Sequence, residues 1–384
     1  MANAFLEIDG QIVKKADGSK FPPTSVIAFI HNAIPHLFSN VKLTVGNVTV
    51  ENLNHPGYMS SMLYNVIFPK SRGDTIGLDH CWVPDTQAAF DETKNLGYAA
   101  RMKWIVQGPD TTGKFLLRLP LFMLFGFCEN FLAMKGYAME VELVRGADHV
   151  ALLRKGTTDQ GKLKFNRVKL NIPVIEPSNA MLVEQLKDIS EGKPYLFSFR
   201  ARNCLMSPVP AGNFDYQLTF HTGAFQEKPV YVFLAFQKVQ KSDQTTNAAL
   251  FEHADVETVH VMMNNRRYPT LLTKADWKNH DEGFFYHMAR HVRANYIQID
   301  DRYIEGFHMT PDTFKTMYPI YCIDTSKGDF AVGGSSIVST IHVRFKTATP
   351  ANLLAYVGWI SDKTISFNAN GSPATVKMSS DSYK

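Results

Sequence analysis

Cysteine is scarce: 384 residues hold only four, at Cys81, Cys128, Cys204 and Cys322. No two are spaced C-x-x-C, so neither a disulfide framework nor a zinc site is indicated, and free thiols in a reducing compartment are expected. An excess of one charge is also missing. Forty basic residues face 36 acidic ones, a net +4 with no block of like charges, so no sequence-specific nucleic-acid partner is expected. Long apolar runs are absent. The longest uncharged one, Leu119–Cys128, is too short to cross a bilayer as a helix and contains Pro120. The first ten residues show no basic stretch leading into an apolar one, so no secretory leader is read there. A soluble, non-secreted chain follows as the expectation, with the Asn47 and Asn370 sequons unused.

What is present is apolar and aromatic. Hydrophobic residues make up 45% of the chain and charged residues 20%, enough for a packed core and too apolar for a disordered chain. Phenylalanine outnumbers tryptophan 27 to 4, and flat side chains of that kind suit the space between two packed sheets.

Alternation with period two dominates. Lys42–Val45 and Val48–Val50 flank Gly46-Asn47 and predict a hairpin. Ala138–Val144 places Met139, Val141 and Leu143 on one face. Leu163–Ile175 continues the pattern, and a parity slip at Asn166-Arg167 predicts a bulge. Ile175–Asn179 reads as a domain boundary, with Asn179 capping a helix over Ala180–Asp188. Strands resume at Tyr195–Arg202, Tyr216–Phe220, Val230–Phe236, Val256–Met262, Ile320–Ile323, Thr340–Phe345 and Leu354–Ile360. Thr273–Val292, with Trp277, Phe284, Phe285, Met288 and Val292, predicts an amphipathic helix among them. No strand–helix alternation appears, so a doubly wound parallel sheet is not expected. The predicted fold is all-β: two tandem antiparallel sandwiches, residues 1–176 and 177–384, with a few short helices in loops.

Catalytic signatures are thin. Gly108–Lys114 fits G-x-x-x-x-G-K, but Phe115 stands where a phosphate loop needs Ser or Thr, and Pro120 would break the helix that should follow. His287 and His291 share a helical spacing, but residue 288 is Met, no third ligand is marked, and Arg290 and Arg293 oppose a cation. Asp300 and Asp301, with Glu305 nearby, are the carboxylates a glycoside hydrolase would need, yet strand neighbours point to opposite faces. G-x-S-x-G is absent. No catalytic, cofactor-binding or metal-binding residue is therefore assigned, and no enzyme is expected.

The order of segments carries a resemblance. Lys14–Ser19 is followed by His31–Asn40, the hairpin 41–50, Tyr58–Phe68 and Trp82–Asp85; further on come Leu119–Phe122, Asn130–Gly136 and Glu140–Arg145. In the second half, Tyr216–Phe220 and Val230–Phe236 precede Asn247–Phe251, and Tyr318–Ser326 and Val343–Pro350 close the series. This set resembles the double jelly-roll major capsid proteins of Polinton/Maverick elements and adintoviruses. In that family a Leu-Phe-Ser segment precedes a strand, a glycine-centred turn and a tyrosine-rich helix. Its N-P-F-x-F motif reads Asn247-Ala248-Ala249-Leu250-Phe251 here, without the proline, so a different turn is expected. Few residues precede Lys14, so the first jelly roll is expected to be trimmed at its start.

The resemblance implies two jelly rolls upright in an icosahedral shell, three copies forming a pseudo-hexagonal, hexon-like capsomer. It implies as partners the chain itself, neighbouring capsomers, and penton and minor capsid proteins. It places the protein in the virion, assembled inside the host cell. Two other readings stay open at this point: a β-sandwich that binds or processes carbohydrate, and a capsid gene retained by a host.

Overall fold

The structure is a computed structural model. It describes residues 3–22, 24–89, 91–105, 113–130, 137–155, 159–221, 229–239, 242–300, 306–327, 338–349 and 352–368.

Sixteen strands are described, eight on each side of a connector. The first eight are β1 (Phe5–Lys14), β2 (Ile27–Phe29), β3 (Phe38–Val45), β4 (Val48–Asn54), β5 (Lys114–Pro120), β6 (Met139–Arg145), β7 (Leu152–Arg154) and β8 (Gly161–Asn171). They form sheets of order β5-β1-β8, β4-β3-β6 and β2-β7. The second eight are β9 (Pro194–Val209), β10 (Asp215–His221), β11 (Pro229–Lys238), β12 (Val256–Met263), β13 (Arg266–Tyr268), β14 (Tyr321–Asp324), β15 (Val338–Phe345) and β16 (Leu353–Asn368). They form two four-stranded sheets, β10-β15-β12-β13 and β14-β11-β16-β9. Every strand pairing recorded is antiparallel. Two tandem eight-stranded antiparallel sandwiches make a double jelly roll, the fold class expected from the alternation.

Local predictions hold where alternation is strict. The hairpin turns at Gly46 (φ 55°) and Asn47 (φ 67°), the left-handed pair a two-residue turn requires. The β1–β8 register slips between Asp9 and Gly10 and leaves Asn166 without a counterpart, which is the expected bulge. β8 stops at Asn171, short of the expected Ile175, because Pro173 has no amide to donate.

Other predictions need correction. β1 was not expected, although Leu6, Ile8 and Ile12 alternate inward along it. The connector helix spans Asn179–Ser190, and its first turn is capped one residue earlier, Ser178 Oγ accepting from Met181 N at 3.4 Å. The helix expected over 273–292 runs Gly283–Ile297. Asp276 accounts for the difference: its carboxylate accepts from the amides of Lys278 and Asn279, a side-chain turn that competes with helix. β9 and β16 are each 16 residues long, because they pair with one another from Leu353↔Val209 to Asn368↔Pro194 and carry polar residues that read as strand ends. The helix Leu96–Ile105 was also missed.

Candidate functional site

The most elaborate chemistry in the molecule lies where the two sandwiches meet. The helix Pro56–Ile67 fills that seam. All twelve of its residues are buried and none is charged; its polar groups, Ser60, Ser61 and Asn65, bond to the segment 31–36. One side meets the segment 31–36; the other meets β16, where Tyr58 stacks on Tyr356 at 3.7 Å between ring centroids. Gly358 of β16 lets strand and helix approach closely: a Cβ there would sit 2.5 Å from Met59 Sδ and 3.0 Å from Met62 Cε. Alanine asks only for small shifts of flexible methionine ends. Valine overfills the site, so Gly358→Val is expected to cost about 1–3 kcal/mol, read as a lower denaturation midpoint.

Buried polar groups fasten the seam at three places. At the first, Arg101 is wholly buried and Asp85 nearly so. Arg101 Nη2 donates to Asp85 Oδ1 at 2.5 Å, Nε donates to Phe29 O at 2.9 Å, and Nη1 donates to Val83 O. Asp85 Oδ2 accepts from Asn247 Nδ2 at 3.0 Å, which ties the second sandwich to the ion pair of the first. Burial opposes the Arg101 charge most strongly, yet the charge and hydrogen bond of Asp85, with Cys81 and Tyr318, together outweigh it, and the guanidinium holds its proton above the ordinary value.

At the second, the Glu51 carboxylate accepts from three backbone amides: Gly126 N and Arg202 N through Oε1, and Phe127 N through Oε2, at 3.2, 3.0 and 2.8 Å. Burial raises the Glu51 carboxyl above its ordinary value, against the pull of those amides and of Arg202. Arg202 pairs with Glu129 and donates to Phe122 O, while Tyr296 donates to the same Glu129 at 2.8 Å. A Cβ on Gly126 would collide with Arg200 O, so the loop must be glycine there to lie against β9.

At the third, Gln244 acts as a short strand beside Gly161. Its amide accepts from Gly161 N and donates to Gly161 O, both at 2.7 Å. Arg154 adds a bond to Asp243 O at 2.7 Å.

The residues singled out from sequence lie elsewhere. Lys114 opens a strand and not a helix; residues 108–112 fall outside the described ones. His287 and His291 do share a helix face, their rings 6.5 Å apart, and His291 and Asp324 are both in contact with Asn295. Among the described residues, no group of three or more His, Cys, Asp or Glu is placed to hold a metal ion. Asp300 lies just past the helix Gly283–Ile297, whereas Asp301, Glu305 and the Asn370 sequon lie outside the described residues. All four cysteines are buried and free. No described helix is long and apolar enough to cross a membrane. Within Asn247–Phe251, the Asn247 side chain accepts from Ala249 N at 3.0 Å, so an asparagine turn shapes the segment without proline.

Comparison with known proteins agrees with this architecture. A chain of the Sputnik virophage structure superposes with a TM-score of 0.61 at 11% identity, over 99% of this chain and 82% of that one. The mavirus major capsid protein gives 0.55 at 9% identity, over 98% and 84%. At such identities the shared property is the fold. No curated protein sequence matches. The sequence model of the double jelly roll-like domain matches residues 83–365, most of the chain, and on that ground the protein belongs to the double jelly roll-like family.

Proposed function

We propose that this protein is a major capsid protein of the Polinton/Maverick–adintovirus type, a structural and non-enzymatic subunit of an icosahedral virion. Residues 1–176 form the first jelly roll and 177–384 the second. Three copies close into a pseudo-hexagonal homotrimer, and capsomers then pack beside one another and against penton and minor capsid proteins. The observation that carries this reading is the seam. A shell subunit must keep its two sandwiches in one fixed relation, and here a fully enclosed helix and three buried polar fastenings hold them so.

A second observation supports self-association. Along and beside the connector, Val174 (89%), Val183 (66%) and Leu186 (59%) stand exposed. A run of apolar side chains is unfavourable in water unless another surface covers it. A cyclic trimer buries surface of this kind and closes on itself, whereas an unclosed contact would build filaments.

Light scattering on the purified chain, with negative-stain imaging, tests the reading. The expected mass is three times the 43.3 kDa chain, in particles with six-fold-like outline. A monomer at micromolar concentration overturns it.

A further inference from the structure

Two imidazoles, His31 and His308, meet at the seam, and two more sit on elements beside it: His36 against Ser61 of the buried helix, and His80 two residues before Trp82. His31 is wholly enclosed, and His36 and His80 are nearly so. His308 arrives from the second sandwich and is only half-buried as a residue, although its Nε2 is covered. The His31 ring lies 5.0 Å from Trp82, 6.3 Å from His308 and 6.2 Å from Tyr318, and the His308 ring lies 5.4 Å from Trp82. The backbone joins here too, Lys70 N donating to Gly306 O at 2.9 Å. First-sandwich and second-sandwich groups therefore share one aromatic cluster.

The cluster is built for neutral imidazole. His31 Nε2 contacts Asn65 Oδ1 at 3.2 Å and His36 Nε2 contacts Ser61 Oγ at 3.0 Å, both uncharged partners. His80 Nε2, His308 Nε2 and Trp82 Nε1 have no hydrogen-bond partner among the described residues. The helix Pro56–Ile67 offers no charge. The helix Leu96–Ile105 offers Arg101 towards His31; the 70–80 segment offers Lys70 towards His308 and Arg72 towards His80. From the second sandwich, Arg293 lies over Phe307, Lys315 is occupied by Trp277 O and Glu282, and Asp312 is exposed. The enclosed carboxylate beside Arg101, Asp85, is taken by Arg101 and Asn247. A proton added to this cluster meets cations and apolar rings.

We propose that the cluster makes the seam an acid-sensitive latch, closed while the four imidazoles are neutral and released as they take up protons. The sign follows from linkage. Burial pushes His308 down to about 4 and His36 and His80 to about 3, and lowers His31 well below the ordinary 6.5. The stability these groups confer is present above pH 6.5 and is lost as pH falls from there towards 4, where an opened chain binds protons that the closed chain refuses. Glu51, raised by burial, opposes this drift as its own carboxyl becomes protonated. His308, the half-buried one of the four, is the point of entry.

Guanidinium unfolding of the full chain at pH 7.5, 6.5, 5.5 and 4.5, followed by tryptophan emission, tests the latch and does not depend on the capsid reading. Each imidazole is expected to raise the unfolding constant by up to about tenfold per pH unit below 6.5. His308→Gln and His36→Gln are each expected to flatten that slope by about one proton, and the exposed His287→Gln to leave it unchanged. An unfolding constant that stays flat between pH 7.5 and 4.5 overturns the proposal. So does a slope that His287→Gln reduces as much as His308→Gln does. If neither buried variant folds, histidine C2-proton resonances of the native wild type decide the matter: four that do not titrate above pH 5 support the latch, and a full set titrating near 6.5 refutes it.

Discussion

Asp85→Ala is expected to lower folding stability by about 3–5 kcal/mol, measured as the shift in guanidinium midpoint multiplied by the denaturant slope. The Asp85–Arg101 pair has no exposed side-chain surface on either partner. Taking two charges out of water is costly, so the pair as a whole adds little net stability against apolar residues of equal volume. Breaking it is different. Without the carboxylate, the Arg101 guanidinium stays enclosed with two carbonyls, Phe29 O and Val83 O, and no counter-charge. The same substitution frees Asn247 Nδ2, so the second sandwich loses a bond to the first. Asp85→Asn keeps an oxygen and a similar shape and should fall between the two. Asp85→Ala combined with Arg101→Met should recover most of the loss, because the uncompensated charge goes with the arginine. A loss below about 1 kcal/mol for Asp85→Ala would show that water reaches the guanidinium.

The sheets were far more legible in the sequence than the seam. Alternation gives a strand directly, because successive side chains point to opposite faces, and Met139–Leu143 shows this without help from the rest of the chain. β11 was legible for another reason: Val230–Phe236 is an unbroken apolar run, as a strand enclosed on both faces should be. Seam residues have no such local signature. Asp85 follows Trp82-Val83-Pro84 and reads as a turn aspartate; its partners are 16 and 162 residues away. Gln244 lies in a polar stretch, Gln244-Thr245-Thr246, that looks like a loop and is one, yet its side chain pairs with a strand 83 residues earlier. No spacing in the sequence groups the histidines, because their cluster exists only after two sandwiches and a helix have been folded together. The helix itself was legible through the resemblance, which sets a tyrosine-rich helix at Tyr58–Phe68. Its lack of any charged residue is consistent with the enclosure that the structure shows.

Glu51 shows how one backbone irregularity converts a surface residue into an internal one, and it carries the second large effect. In Val48-Thr49-Val50-Glu51, strict alternation from Val48 and Val50 would turn Glu51 outward. The β3–β4 register slips between Leu43 and Thr44, leaving Val50 as the extra residue and setting Glu51 opposite the buried Leu43. The carboxylate is then carried inward to the amides of Gly126, Phe127 and Arg202, which end the loop of one sandwich and edge the sheet of the other. Glu51→Ala leaves three enclosed amides without an acceptor, and an orphaned buried donor costs about 1–3 kcal/mol. Allowing for relaxation of the loop, a total loss of about 3–5 kcal/mol is expected. Glu51→Gln separates acceptor geometry from charge. Its oxygen can serve Gly126 and Arg202, but its NH2 then faces the Phe127 amide donor to donor, so most of the loss should remain. If Glu51→Gln is instead as stable as the wild type, the carboxyl is already protonated in the native protein. Burial would then have overcome the three amides and Arg202 together.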